Sequence, residues 1–599
     1  MALFTPSESP AVIVREADLT GGVPNVQSTT GALVGNFNWG PVLQRTQISN
    51  EAELVENFAA PFSEDVFSDF LSANQFLRYS SSLQLVRNIS DSATTAYSLQ
   101  GVIGATPDSN GDPAYPIPNP LILNSDNYDQ REEGLMAQLD SGGTLGYGFA
   151  ARYPGGLGNS ITVSYCPADS SEAAFDAWAY KGSFDKSPLT TQFAKNLQSQ
   201  GDELHVAVVD ELGLITGSRG TVLETYPNLS VASNAKGDDG QSIFVKDVLN
   251  SKSNYVYMLN IDKELETKGA GSDIFEGSNF LLDSAVARKV TLNSGVQSSK
   301  LGQTEMIAGY DLFSDKDQIE IDFLIAPSMN NRTDQTSLVN TLISHAQSRK
   351  DCVVCAGPAK SDIIGVTSDA TKATNTVTTA NTFTNSSYLV IDNNFLKIYD
   401  KYNDKYRFIP AASTIAGIMA STDFNRAPWF SPAGARRGQL LGVTSLAYSP
   451  TKAQRDLLYK NDVNPIANIP GQGAVLFGDK TALGFVSAFD RINVRRLFLI
   501  LERAIGKAAE SVLFEFNDEF TRAEFVNIVE PVLREVQGRR GITDFRVVCD
   551  ETNNTAAVVD RNEFKADIFI KPARSINYVT LNFVAVRSGV DFEEVVGTV

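Results

Sequence analysis

The sequence predicts a multidomain α/β protein. Three observations carry that expectation: 599 residues exceed what one core holds, apolar residues recur at a period of two in some stretches and about 3.6 in others, and these stretches follow as strand, helix and strand. With 42 % apolar residues, 34 Phe and 19 Tyr, the composition is globular rather than disordered.

The first module runs to about residue 95. TGALVGNFNWGP (30–41) reads as a strand closed by Gly and Pro, and EDVFSDFLSANQFLRYS (64–80) sets Phe67, Phe70, Leu71 and Leu77 on one helical face. SLQLVRNIS (82–90) returns as a strand, giving a β-α-β piece at one edge of a larger sheet. The character then changes, because TPDSNGDPAYPIPNP (106–120) and DSGGTLGYGFAARYPGGLG (140–158) are loops around a β-rich insertion. LHVAVVDE (204–211) and IEIDFLIAP (319–327) are strands, and TSLVNTLISHAQSRK (336–350) is an amphipathic helix leading into the apolar strand CVVCAG. From Val366 to Ser387 the Thr/Asn/Ala-rich tract shows little periodicity and reads as a linker or exposed excursion.

The last third has the clearest patterning. In NVRRLFLILERAIGKAA (493–509), Val494, Leu497, Phe498, Leu501, Ile505 and Ala508 recur at helical spacing, while Leu499 and Ile500 widen the stripe. A second helix is expected from Thr521, with Thr521 and Glu524 forming a capping box. It carries Phe525, Ile528, Val529, Val532, Leu533 and Val536, and Pro531 predicts a kink or break. FRVVCD, AAVVD, ADIFIK and SINYVTLNFVAVRS then supply strands, making this unit an α/β sandwich.

A formal charge of −20 opposes nucleic-acid binding, which needs clustered Lys and Arg. The charge is uneven, since Asp490 to Arg574 holds 14 basic and 15 acidic side chains and is nearly neutral. Four cysteines at 166, 352, 355 and 549 are too sparse for a disulfide framework and point to a reducing compartment. The absence of a long apolar run and of a basic, hydrophobic N-terminus predicts a chain neither secreted nor inserted in a membrane.

Catalytic constellations are thin. His205 falls in a strand pattern and His345 on a helix, so no triad or zinc-protease pattern assembles, and both read as structural. Cys352 and Cys355 have thiol-oxidoreductase spacing but lie in an apolar strand rather than at a helix N-terminus, which favours core packing. GQGAVLFG (471–478) lacks the third glycine of a dinucleotide loop and reads as turn plus strand. DSNGDP (108–113) places Pro113 where a calcium loop turns on Gly. No cofactor or metal site is therefore expected. The pairs Arg436–Arg437, Arg495–Arg496 and Arg539–Arg540 are solvated helix ends and loops, or docking surfaces for an acidic partner.

The order of several segments resembles the tail sheath proteins of contractile, T-even-like bacteriophages. PAVIVREAD (10–18), TGALVGNFNWGP and LQLVRN carry the likeness at the start. APWFSPAGARRG (427–438), QRDLLYKNDVNPI (454–466), FDRINVRRLF (489–498), QGRRGITDFRVVCDETNNT (537–555) and IFIKPARSINYV (568–579) carry it later. The resemblance implies a discontinuous α/β sandwich core from N- and C-terminal parts, with outer insertions and extended arms. In this numbering it divides into an arm (1–20), core part (21–95), β-rich outer insertion (96–200), second α/β insertion (201–362), linker (363–388), C-terminal core (389–587) and second arm (588–599).

It further implies a mechanical, non-enzymatic subunit that polymerises around a tail tube and contracts on a baseplate signal. Its partners would be further copies, the tube protein, and baseplate and terminator proteins, within a virion tail assembled in the host cytoplasm. The arms, Val12, Ile13, Val14 and Arg15 at one end and Phe592, Glu593, Glu594, Val595 and Val596 at the other, would add strands to neighbouring copies. As extended runs they are suited to an open sheet edge. Arg495, Arg496, Arg539 and Arg540 are candidates to face the tube. The rival readings are the sheath of a secretion system or extracellular injector, and a cytoplasmic thiol enzyme using Cys352 and Cys355.

Overall fold

The computed structural model describes residues 29–99, 121–130, 148–260, 268–281 and 286–575. Both sets of expected arm residues, 12–15 and 592–596, lie outside them, as do DSNGDP and most of the last expected strand. The chain forms two compact units, one of Val26–Pro428 with Pro432–Ile500, the other containing Trp429–Ser431 and the chain from Leu501.

Strands are numbered β1 to β21 in chain order. The larger unit is built on a seven-stranded sheet of β1 (Gly31–Gly35), β2 (Arg45–Ile48), β3 (Leu83–Arg87), β11 (Phe323–Ile325), β12 (Val353–Ala356), β13 (Leu389–Asp392) and β17 (Val463–Asn464). Its spatial order is β17-β13-β12-β11-β1-β3-β2, parallel throughout except for β2. Parallel sheets are covered on both faces, so their strands read as unbroken apolar runs. Leu33, Phe323, Ile325, Val353 and Val390 enter one cluster with the helices Phe67–Leu77 and Ala412–Asn425. Ala32, Val34, Leu324, Val354 and Ile391 enter the other, against Leu338, Val339, Leu342 and Ile343 of the helix Arg332–Arg349.

Because β11 and β12 belong to this sheet, the expected insertion at 201–362 divides: its later part is central rather than outer. Its earlier part joins strands of the expected 96–200 insertion in two antiparallel sheets, β10-β6-β7-β8 and β4-β5-β9. The first contains β6 (Ile161–Pro167), β7 (Glu203–Asp210), β8 (Thr221–Ser230) and β10 (Arg288–Thr291); the second contains β4 (Thr95–Leu99), β5 (Gly148–Pro154) and β9 (Val256–Asn260). Residues of both sheets, including Phe149, Val163, Val206, Val208 and Val256, share a buried core. A three-stranded sheet of β14 (Phe395–Asp400), β15 (Lys405–Pro410) and β16 (Ser445–Leu446) and the hairpin of β18 (Ile466–Ile469) and β19 (Gly473–Leu476) complete the unit. GQGAVLFG thus supplies a hairpin strand.

The tract expected as a linker is instead occupied by the helix Asp369–Ala380, capped by Ser368 and burying Ala373, Thr376 and Thr379. Threonine is a weak helix former because its hydroxyl competes for backbone groups. Here Thr376 donates to the Lys372 carbonyl (2.9 Å) and Thr379 to the Asp362 carboxylate (2.5 Å), so the helix satisfies these hydroxyls.

In the smaller unit the helix Glu519–Gly538 buries Phe525, Val529, Leu533 and Val536. Its cap is Asp518, whose carboxylate accepts from the Thr521 N–H (2.9 Å); Thr521 lies inside the helix, correcting the expected start. The helix runs through Pro531 without a break. Pro531 and Asn527, whose carbonyl loses a donor, are both exposed, so water can satisfy that group. An antiparallel ribbon of β20 (Ile542–Val548) and β21 (Asp567–Pro572) follows.

Candidate assembly surfaces

The parallel strands run in the doubly wound order whose ligand crevice lies beyond the carboxyl ends of β1 and β11, where the chain order reverses. In this protein its own groups fill that position. The Asn36 amide donates to the Ser298 and Ser299 carbonyls (3.1 and 3.0 Å), and its N–H to the Asp69 carboxylate (2.9 Å). The Tyr310 hydroxyl donates to the Ile325 carbonyl and accepts from Val34 N–H. Arg87 at the end of β3 is fully buried and donates to the carbonyls of Phe37, Gly40 and Pro154 (3.0, 2.7 and 2.6 Å), tying the central sheet to β5. Burial without a carboxylate partner draws its guanidinium down to about 9.

Two buried carboxyls, Asp69 and Asp392, lie along the same edge. Burial pushes Asp69 up to about 6 and Asp392 up to about 7, each opposed by one backbone N–H, from Asn36 and Asn394. Asp392 packs where a side chain on Gly357 would approach its carboxylate oxygens at 2.9–3.0 Å, so the strand end needs glycine there.

The thiol reading fails on geometry. Cys352 and Cys355 are three residues apart, so the twofold alternation of a strand sends them to opposite faces of the sheet, into separate apolar clusters. Both are completely buried, and burial pushes both thiols far up, away from thiolate. His205 places Nε2 at 2.8 Å from the Lys186 carbonyl, accepts from Asn228 N–H at Nδ1 (3.0 Å), and stacks on Phe184. His345 sits 3.3 Å from the Asp311 carboxylate. Burial lowers the pKa of both histidines. Among the described residues no group of three or more His, Cys, Asp or Glu could hold a metal, and no helix is long and apolar enough to cross a membrane.

The arginine candidates separate. Arg495 is buried, donating to the Ser387 hydroxyl (2.6 Å) between the rings of Tyr388 and Phe489. Arg496 is buried, forks onto Asp423 and lies over Phe323. Interior bonds of the larger unit occupy both, which withdraws them as surface contacts. Arg539 and Arg540 are exposed where the helix Glu519–Gly538 ends. Arg539 pairs with Glu535 (3.3 Å) and covers Trp429, whose indole donates to the Arg539 carbonyl (3.1 Å).

The β20–β21 ribbon has no third strand among the described residues. Nearby in sequence, the connection 511–518 exposes Leu513, Phe514 and Phe516, followed by exposed Phe520. Sequence reading missed this feature, although LFEF is an apolar run outside the periodic stretches that flank it.

These features define a multidomain α/β protein organised by a doubly wound sheet whose crevice is filled by the protein's own polar groups. The chain matches the family profile of the phage tail sheath protein central domain over residues 303–482 and of the phage tail sheath C-terminal domain over 486–585. It is 33 % identical to the tail sheath protein of Enterobacteria phage T4, covering 98 % of this chain and 99 % of that one. It is 32 % identical to the tail sheath protein of Vibrio phage KVP40, with the same coverage of each chain. The sheath tail protein of Listeria innocua shares its fold, covering 91 % of this chain and 96 % of that chain with a TM-score of 0.50 at 13 % identity. The chain belongs to the tail sheath family of contractile bacteriophages.

Proposed function

We propose that the subunit polymerises as a helical sleeve around a tail tube and shortens on a baseplate signal, driving the tube through the host envelope without catalysis. The β20–β21 ribbon, two-stranded among the described residues, carries this reading. A two-stranded ribbon alone is marginally stable, and extra strands complete it. The β-prone ends, Val12–Arg15 and Phe592–Val596, supply those strands from neighbouring copies. At roughly 0.5–1.5 kcal/mol net per hydrogen bond, each junction contributes a few kcal/mol, repeated along the polymer. Arms that remain paired keep the copies connected while rigid bodies shift between two packings.

Arg539 and Arg540 are the tube-facing candidates that remain at the surface. Baseplate and terminator proteins would bound the sleeve, and assembly would take place in the host cytoplasm. Deleting residues 1–18 or 591–599 should leave a folded subunit that sediments as a monomer, whereas the full chain forms tubes visible by negative stain. Tubes formed equally well by both deletions would overturn the arm assignment.

A further inference from the structure

The third arginine pair, Arg436–Arg437, lies in APWFSPAGARRG on a loop pinned to β19. Gly434 N–H donates to the Leu476 carbonyl (2.9 Å), Leu476 N–H to the Gly438 carbonyl (2.7 Å) and Leu440 N–H to the Ala474 carbonyl (3.0 Å). Gly434 has φ of 88°, and a Cβ on Gly438 would meet the Leu476 carbonyl oxygen at 2.8 Å, so both glycines let the loop lie against the strand. The loop presents Arg436 exposed and Arg437 half-buried, and Arg426 is exposed where the helix Ala412–Asn425 ends. Burial and, after it, the charges of Arg426 and Arg436 lower the Arg437 pKa, so the three guanidiniums act on one another. No acid falls between Asp423 and Asp456 in the chain, and Asp423 is forked by Arg496. Phe424, two residues before Arg426, is 84 % exposed. A helix dipole accounts for one arginine at that helix end, but not for three like charges beside an exposed ring.

The chain carries a segment of opposite character in the connection between the helices Ile492–Glu510 and Glu519–Gly538. It exposes Leu513, Phe514, Phe516 and Phe520, with Phe516 at 83 % and Phe520 at 77 %. No Lys or Arg falls between Ala508 and Thr521. Asp518 caps the following helix beside Arg522, whereas Glu510, Glu515 and Glu519 are exposed and make no ion pair among the described residues. Glu510 ends its helix, where the dipole disfavours a carboxylate. The base of the connection is fixed, because the Asn517 amide donates to the Glu563 carbonyl (2.8 Å) and Arg522 donates to Asn517 (3.0 Å). Two other exposed phenylalanines have acids nearby. Around Phe62, Glu51 and Glu64 are already held by Lys401 and Arg407. Phe275 is a single ring between Glu276 and Asp273, and Asp273 accepts from Ser233 (2.8 Å).

We propose that the 510–520 connection of one copy docks on the surface formed by Phe424, Arg426, Arg436 and Arg437 of a second copy. Arginine suits both halves of this occupant, because its planar guanidinium pairs with carboxylates and stacks on aromatic rings. Three arginines without an acid meet three glutamates without a base, and the same signs disfavour either surface meeting its own kind. Because the two surfaces differ, the contact is head-to-tail and extends into an open helical array rather than closing as a dimer. The inference rests on the polymerising-sheath reading and names one of its contacts.

The test uses two full-length variants, E510K/E515K and R426E/R436E, with wild-type polymerisation as the control for the sheath reading itself. Each variant alone is expected to pellet as polymer at least about 10-fold less than wild type while keeping its circular dichroism spectrum and melting temperature. An equimolar mixture should recover polymer of alternating chains, because the reversed connection of one fits the reversed surface of the other. Should a reversed variant fail to fold, the neutral pairs E510Q/E515Q and R426Q/R436Q replace it, each with a smaller loss of polymer that grows on adding salt. Wild-type polymerisation by a folded variant would overturn the proposal. So would a mixture that stays monomeric, including one in which polymer returns only when all four substitutions share a chain, the mark of a contact within one copy. Wild-type chains that form no polymer would instead count against the sheath reading.

Discussion

Arg495–Arg496 and Arg539–Arg540 are the same dipeptide with opposite fates. The first pair lies inside the larger unit, with Arg496 forked onto Asp423 and Arg495 between aromatic rings. The second lies at the exposed end of a helix in the smaller unit, with Glu535 as a solvent-facing partner. Burial converts an arginine from an adjustable surface charge into a structural tie whose loss strands its partner, so charge pairs alone do not locate a docking surface.

Arg496→Ala should have the largest effect, because it removes a buried guanidinium that forks onto the Asp423 carboxylate and packs over Phe323. Loss of about 3–5 kcal/mol is expected in a denaturant titration of the monomer. A loss below about 1 kcal/mol would mean that the interior pair is as replaceable as the exposed one.

Next come the buried carboxyls. Asp69 and Asp392 have folded values of about 6 and about 7, above the ordinary 3.8. The folded state therefore binds more protons between these values, and their contribution is full below about pH 4 and lost as pH rises through about 6 and 7. At ~1.4 kcal/mol per unit, ionising Asp392 costs roughly 4 kcal/mol. Asp392→Asn should accordingly be more stable than wild type at pH 8 by a few kcal/mol, with the gain shrinking at pH 5. Equal midpoints at both pH values would contradict that burial.

A smaller effect per site is expected from Cys352→Ser with Cys355→Ser, about 1–3 kcal/mol for each buried hydroxyl. The native thiols should resist alkylation until the subunit unfolds, and rapid labelling of the folded protein would reopen a reactive-thiol reading. Least of all, Arg539→Ala with Arg540→Ala should shift stability by less than about 0.5 kcal/mol while weakening tube association in a co-sedimentation assay. Unchanged tube association would remove these two residues from that role.

The strands were legible wherever burial on both faces forced an unbroken apolar run, as in β1 and β12, and the helices wherever apolar spacing was regular. The helix Asp369–Ala380 escaped notice because its inward positions are Thr and Ala, buried through hydroxyl bonds rather than apolar bulk. The place of β11 and β12 in the central sheet depends on β11 pairing with β1, Gly31 with Phe323, far apart in the chain, which local periodicity does not encode. At the surface, sequence pointed to charge and overlooked Phe514 and Phe516, because exposed aromatics look like core residues until the fold places them.

Cryo-electron microscopy of the polymerised protein, resolved well enough to trace residues 12–15 and 592–596, tests the central claim most directly. Those segments are expected to lie alongside β20 and β21 of adjacent copies as added strands. Both segments paired within their own subunit, with the ribbon edges covered by nothing from a neighbour, would contradict it.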